Sequence, residues 1–448
     1  MNAVMPATAG SPNSAVAVYP RASYPLAGDA SGPLPLVRWM FYLFVFSVPL
    51  LHTIDVGEDA RLPKLIGYLF LFATLLQPRV CFRQFPGALW CFVAYTGVYA
   101  LLGAFQQSIL QQEIYERLFT LIQLLVMSWV AFNLFCYDRV AKEALLALIA
   151  SCVLLAILQV SGLGATGYGA GRYTASTRVS ALGQNANELA CTLSLALIAL
   201  LGLVYSSGRR ALPLRHLAWP CLILLGLAVV LTGSRGGVVA LAGGLMVFML
   251  LEGTLQARVR NWLIGFLVLG FVVLISAQYE TARERWSATL GGGTLAHREH
   301  LFPAAWEMFL ESPIVGWGPV QNIHELGWRV RYVGWANPDQ SWRDTHNLFL
   351  WVLIQAGLLG AIPFFAGVGL WIRAAWKARQ GPQGILPLAM TATFLIADLS
   401  GNWVHSKLHW LVMAYALASA SPLVLRRLQI SGWQPTSPRA RQSLAPSS

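Results

Sequence analysis

Only 11% of this 448-residue chain is charged, whereas 56% is hydrophobic, and its mean hydropathy is +0.57. Soluble domains carry about 25% charged residues, so composition excludes a soluble globular protein and leaves a polytopic membrane protein. A net charge of +12 would suggest nucleic acid in a soluble chain, but here most of it falls in short loops between apolar runs. Its first meaning is topological, and no nucleic-acid partner is expected.

Residues 1–36 are rich in Pro, Ala, Ser and Gly and hold no apolar segment or cleavage-like signal. They read as a disordered cytoplasmic tail. Apolar runs follow near 37–54, 62–78, 86–105, 114–135, 140–160, 185–206, 215–233, 235–252 and 260–277. As helices they match a hydrocarbon core about 30 Å thick. A long polar segment comes next, then runs at 346–377, interrupted around Gly357 to Gly360, at 383–400 and at 404–425. The expected fold is an all-α polytopic membrane protein of about twelve transmembrane helices. Helices 1–9 occupy 37–277, a large loop with amphipathic helices 278–345, helices 10–12 residues 346–427, and a cytoplasmic tail 428–448.

Lys and Arg in the short loops orient the chain. With the N-terminus in the cytoplasm, Arg79, Arg83, Arg139, Lys142, Arg209, Arg210, Arg215, Arg258, Arg260, Arg373, Lys377 and Arg379 fall inside, along with Arg426 and Arg427 after the last span. Outside, the short loops hold only Arg61, Lys64, Arg172, Arg178, Arg235 and Lys407. Both ends are then cytoplasmic and the long loop faces the periplasm. Its tryptophans (Trp286, Trp306, Trp317, Trp328, Trp335, Trp342) are too many for a solvated linker, and a loop of this length is expected to be functional. Within it, Leu301, Phe302, Ala305, Trp306 and Phe309 recur at helical spacing. They predict an amphipathic helix that either lies in the interface or packs on the bundle.

Several arginines sit on the disfavoured side: Arg172, Arg178, Arg235, Arg283, Arg285 and Arg298. A guanidinium kept there pairs with a carboxylate, reaches for lipid phosphate, or binds an anionic ligand whose oxygens fit its planar fork. Arg235 is the sharpest, set in a Gly-Ser-Arg-Gly-Gly turn between two spans. Arg117, four residues after Glu113, reads as a plain helix pair. His346, beside Asn347 and two residues past Asp344, has the pKa range for base chemistry; otherwise it is an N-terminal helix residue capped by Asp344. His297, His300 and His324 lack metal spacing, and His52, His405 and His409 fall near outer helix ends. The cysteines show no CxxC pair for zinc or a disulfide framework. No DxD or DxH pair and no Gly-x-x-x-x-Gly-Lys loop occurs, so neither a metal nor a nucleotide cofactor is expected. Asp55, Glu58 and Asp59 form one acidic cluster, read as a solvated turn.

Three stretches together resemble the O-antigen ligase and polymerase family of bacterial envelope glycosyltransferases. They are Arg178-Val-Ser-Ala-Leu-Gly-Gln-Asn-Ala-Asn187-Glu-Leu-Ala, Leu231-Thr-Gly-Ser-Arg235-Gly-Gly, and Arg298 through Glu311-Ser-Pro313-Ile-Val-Gly316-Trp-Gly318 to His346-Asn347-Leu-Phe-Leu350 and Gly357-Leu-Leu-Gly360. Ala186 stands where proline is common. The resemblance implies a GT-C-type fold in the bacterial inner membrane with its active site facing the periplasm. It also implies an undecaprenyl-pyrophosphate-linked glycan donor and metal-independent inverting transfer to a sugar hydroxyl of lipid A–core. On this sequence Arg235 and Arg298 would hold the pyrophosphate, helped by Arg178 and Arg172, and His346 would deprotonate or orient the acceptor hydroxyl. Polymerases and protein O-oligosaccharyltransferases share the pattern, and a lipid-linked glycan flippase is the reading outside it.

Overall fold

Hydrophobic runs in a bilayer must satisfy their own backbone groups, and helices do so within one segment. The computed structural model describes residues 32–50, 62–163, 165–168, 178–206, 215–251, 255–291, 298–331, 342–422 and 424. From Pro33 onward the chain forms one compact unit. Its first half holds α1 (Pro35–Ser47), α2 (Leu62–Thr74), the one-turn α3 (Pro78–Cys81), α4 (Gly87–Ala104), α5 (Gln111–Phe135) and α6 (Asp138–Ser161). Then come α7 (Ala186–Ser206), α8 (Ala218–Leu231), α9 (Arg235–Leu251) and α10 (Leu255–Gln278). The long polar segment carries α11 (Glu280–Leu290), α12 (Arg298–Glu311) and α13 (Gln321–Val330), and α14 (Leu348–Ala378), α15 (Leu386–Asp398) and α16 (Lys407–Ser419) follow.

Every apolar run read from the sequence holds one of these helices. Among the described residues, six helical stretches are long and apolar enough to cross a membrane: Gly87–Ala104, Ser108–Phe135, Asp138–Ser161, Ala186–Val204, Arg258–Gln278 and Leu348–Ala378. The remaining apolar helices are shorter. The chain is therefore a mostly helical, multi-pass membrane protein. Helix α7 is buried along nearly its whole length, whereas α10 exposes Leu263, Phe266, Leu267, Val273 and Leu274. An apolar helix with an apolar outer face belongs against lipid.

One connection between helices is not helical. Between α6 and α7, β1 (Ala165–Tyr168) pairs antiparallel with β2 (Arg178–Ala181), Ala165 opposite Ala181. Pairing satisfies backbone groups of a connection that folds back on the bundle end. Gln159 Nε2 at the end of α6 donates to Val179 O at 2.8 Å and to Ala228 O at 3.2 Å, joining the hairpin to α8.

Side-chain bonds sort the turns into two ends of the bundle. One end links Tyr42 to Glu143, Gln84 to Asn133 and Gln383 to Asp138. The other links Gln184 to Pro49, Gln106 to Trp317, Arg178 to Thr232 and Arg298 to Ser400. This second end carries the hairpin, the α8–α9 turn and the long polar segment.

The interruption expected in 346–377 is real. Helical turns lie on both sides of it, but Gly357 within α14 has φ +53° and ψ −159°. The segment 313–318 repairs the gap: Trp317 N and Gly318 N donate to Ile354 O and Gln355 O (2.7 and 3.0 Å), and Leu358 N and Leu359 N donate to Pro313 O and Ile314 O (2.8 and 3.0 Å). Broken backbone is tolerated at membrane depth when protein re-satisfies it. Gly316 is essential to this exchange. Its φ is +67°, and an added Cβ would lie 2.6 Å from Gly357 N and 2.8 Å from Ile354 O. Gly316→Ala combines a left-handed cost of about 1–2 kcal/mol with that clash. A thermal melt in detergent is expected to fall by several degrees; an unchanged melting temperature contradicts the pairing.

Helix α12 resolves the choice left open by its amphipathic pattern. Leu301, Ala305, Met308 and Phe309 bury against Leu326 and Val330 of α13 and Ile354 of α14, while Trp306 and Leu310 stay exposed. Arg329 of α13 holds Glu311 through two bonds of 2.7 and 2.5 Å and Glu325 at 2.8 Å. A packed, ion-paired α12 fixes Arg298 at its first position.

Candidate functional site

The α8–α9 turn is built by its own residues. Thr232 Oγ1 donates to Val229 O and accepts from Ser234 N (2.6 and 3.1 Å), Gly233 takes φ +58°, and Ser234 Oγ accepts from Gly237 N at 3.2 Å. Ser234 thus caps α9 and places Arg235 at its first helical position. Asn187 locks the turn from α7, its Oδ1 accepting from Ser234 Oγ at 2.9 Å and from an Arg178 guanidinium nitrogen at 2.8 Å. Arg178 Nε also donates to Thr232 O at 2.8 Å. The buried Arg178 thereby braces the turn that carries Arg235. Arg172 lies outside the described residues, as do His52, His297, Trp335 and the Asp55, Glu58 and Asp59 cluster.

Arg235 reaches across to α11, donating to Arg285 O at 3.2 Å and to Thr289 Oγ1. Arg298, first residue of α12, donates to Ser400 O at 2.9 Å. Ser400 in turn lies against the first turn of α9, where a Cβ on Gly236 would come within 2.5 Å of its Oγ. Three guanidiniums therefore converge: Arg235, Arg285 and Arg298. Two stand at helix N-termini, whose partial positive charge adds to theirs. Among the described residues none of the three bonds to a carboxylate, though the charge of Glu299 reaches Arg235. Burial, with Arg235 and Arg298 alongside, brings the Arg285 guanidinium down to about 10. Burial and Arg235 likewise lower that of Arg298. Arg285 Nε is buried with no hydrogen-bond partner. Mutual repulsion and unspent donors are the state an anion would relieve. By contrast, Arg117 pairs with Glu113 at 2.5 Å, as its spacing indicated.

His346 joins this group. Asn347, not Asp344, caps α14: its Oδ1 accepts from Leu350 N at 3.0 Å and its Nδ2 donates to Leu399 O at 3.3 Å, one residue from the carbonyl that receives Arg298. Asp344 Oδ1 instead accepts from His346 N at 3.1 Å. The physical reason is register, since Asp344 stands too far ahead of the first turn to reach its N–H groups. Between them Thr345 Oγ1 donates to Asn347 O at 2.8 Å. This bracing holds His346 at φ +49°, a left-handed conformation that costs a side-chain-bearing residue about 1–2 kcal/mol. Such strain clusters at functional sites. Burial pushes the His346 imidazole below its ordinary range, opposed by Asp344 and helped by Arg298 and Arg343. The neutral form is thereby favoured.

Arg285 is the residue that sequence reasoning left unranked. It was visible as one of several outward arginines, but only its position opposite the α9 N-terminus separates it from Arg283, which is exposed. His409 is buried against Trp371 and Phe394. Among the described residues no cluster of three His, Cys, Asp or Glu is arranged for a metal ion. A family model described as O-antigen ligase matches residues 220–365. That segment runs from α8 into α14 and contains Arg235, Arg285, Arg298 and His346. No curated protein matches the chain.

Proposed function

We propose, from the match of residues 220–365 to a family model described as O-antigen ligase, that the chain is a glycosyltransferase of that family acting at the arginine–histidine cluster. The donor is an O-antigen glycan on undecaprenyl pyrophosphate and the acceptor a sugar hydroxyl of lipid A–core. The observation that carries this reading is a set of three converging guanidiniums, none bonded to a carboxylate among the described residues, beside a neutral, strained imidazole.

Arg235, Arg285 and Arg298 bind the pyrophosphate, and Arg178 keeps Arg235 in place; Arg172 is a further candidate for the same anion. His346 accepts the proton of the acceptor hydroxyl. The hydroxyl oxygen bonds to the anomeric carbon while the bond from that carbon to the pyrophosphate oxygen breaks on the opposite face, which inverts configuration. Charge developing on the leaving pyrophosphate is met by preorganised cations, so transfer is metal-independent. The chain crosses the inner membrane twelve times in a GT-C-type arrangement with this end in the periplasm. Lys and Arg placement and the alternation of helix ends support that topology.

A polymerase or protein O-oligosaccharyltransferase would use the same cluster with another acceptor. A flippase would need its cations along a path across the bilayer, whereas these gather at one bundle end. Purified protein is tested with lipid-linked glycan and lipid A–core in EDTA. A conjugate that forms in the chelator supports the reading. Glycan lengthening on its own carrier makes the protein a polymerase, and loss of transfer in EDTA removes the metal-independent mechanism. Movement of the glycan lipid across the bilayer with no bond formed identifies a flippase.

A further inference from the structure

A cavity of about 500 Å³ opens at the same bundle end as the arginine cluster. Val48 and Pro49 after α1, Lys64 of α2, Gln123 of α5, Glu188 of α7 and the segment 402–408 supply its wall. Neither the three clustered arginines nor His346 line it. It nevertheless shares two walls with their site. Glu188 follows Asn187, which locks Arg178 and the α9 cap. Asn402 stands two residues past Ser400, which receives Arg298.

The lining is chemically distinct from the bundle around it. Gln123, Asn402 and Glu188 offer amide and carboxylate groups, and Lys64 and Lys407 bring two ammonium groups against that one carboxylate. His405 is on the wall with both ring nitrogens buried and unbonded. Burial first, then the charge of Arg117, brings its imidazole down to about 3, so it stays neutral and keeps one donor and one acceptor unspent. These polar groups share the wall with Val48, Leu124, Met127, Trp403 and Leu408, a mixture that suits the polar edge and apolar face of a sugar better than a lipid tail, since burying unpaired polar groups costs free energy. The chamber's volume is that of a small-molecule site. Amides, a carboxylate and a neutral imidazole match sugar hydroxyls, which both donate and accept. The ammonium groups match an anionic substituent on the sugar.

We propose that this chamber binds the acceptor: a phosphorylated sugar of the lipid-linked core, held by Gln123, Asn402 and Glu188 through its hydroxyls and by Lys64 and Lys407 through its phosphate. The proposal rests on the transfer reading above. Inversion requires the acceptor to enter from the side away from the leaving pyrophosphate. The chamber adjoins the cluster across the 187–188 and 400–402 segments and holds none of its arginines.

The test uses full-length protein in nanodiscs. Binding of de-acylated, phosphorylated core oligosaccharide is measured without donor, beside the same oligosaccharide after phosphatase treatment. Acceptor and donor KM are measured in parallel. Expected are a loss of at least about tenfold in oligosaccharide affinity for Gln123→Leu and Lys64→Gln, a smaller Lys64→Gln effect on the dephosphorylated ligand, and an unchanged donor KM. Lys64 is exposed, so its variant keeps the fold, and an unchanged melting temperature checks that it has. Conjugate formation with unaltered acceptor KM in both variants overturns the chamber assignment and leaves the transfer reading standing. A raised donor KM instead assigns the chamber to the donor glycan and also overturns it. If wild type binds the oligosaccharide but only lengthens glycan on its carrier, the ligase reading fails separately.

Discussion

Arg298→Ala and Arg285→Ala each lower donor kcat/KM by about 10²–10³-fold, the loss expected when one preorganised group facing a developing negative charge is removed. Arg235→Ala belongs with them. Arg235 and Arg298 depress the Arg285 guanidinium and Arg235 depresses that of Arg298, so removing one relaxes a neighbour. The double variant Arg285→Ala/Arg298→Ala is therefore expected to lose less than the product of the single losses. Lysine at either position keeps charge but gives up the fork, and intermediate activity is expected. Arg178→Ala behaves differently. Arg178 spends its donors on Thr232 O and Asn187, so its loss takes the Nε–H donor from the carbonyl of the buried Thr232. That costs about 1–3 kcal/mol and shows in the melting temperature as well as in rate. If Arg178→Ala melts like wild type while Arg285→Ala retains full activity, the roles of brace and anion site are exchanged.

The helices were legible because a bilayer makes length and hydropathy sufficient to locate them. Arg235 and Arg298 were legible for the same reason, as cations placed where topology disfavours them. Positional logic stops there, because it cannot distinguish an arginine that binds from one that braces. Arg178 and Arg235 look alike in sequence, and only Asn187 and the Thr232 carbonyl separate them. Arg285 looks like Arg283 until α11 is laid against the start of α9. The hairpin escaped because its strands are four residues each and one carries glycine, giving no period-two signal. The cavity escaped for a deeper reason. Its polar residues are scattered over α2, α5, α7, the α15–α16 connection and the start of α16, and inside each helix one or two polar residues read as noise. The strain at His346 depends on backbone φ, which no composition reports.

That strain yields the other large effect. His346→Ala is expected to reduce transfer by about 10²–10⁴-fold, the range of general acid–base catalysis. His346→Gln should fare no better if the imidazole takes the proton. A glutamine variant retaining more than about a tenth of wild-type rate, well above that range, means that the side chain only orients the hydroxyl. His346→Gly loses activity equally but melts above His346→Ala, because glycine accepts φ +49° without the penalty of about 1–2 kcal/mol that a Cβ incurs. The pH profile has a defined sign. Burial lowers the imidazole below its ordinary 6.5, so the neutral base persists below that pH and the acid limb of kcat/KM lies under 6.5. Folding linkage runs the same way. The neutral form is the one the fold favours, so this contribution to stability is full above 6.5 and is lost as pH falls toward the lowered value. Asp344 acts against burial and raises the imidazole. Asp344→Asn keeps an acceptor for His346 N but removes the charge, and the acid limb should move further down. A limb that moves up, or does not move, takes proton transfer away from His346.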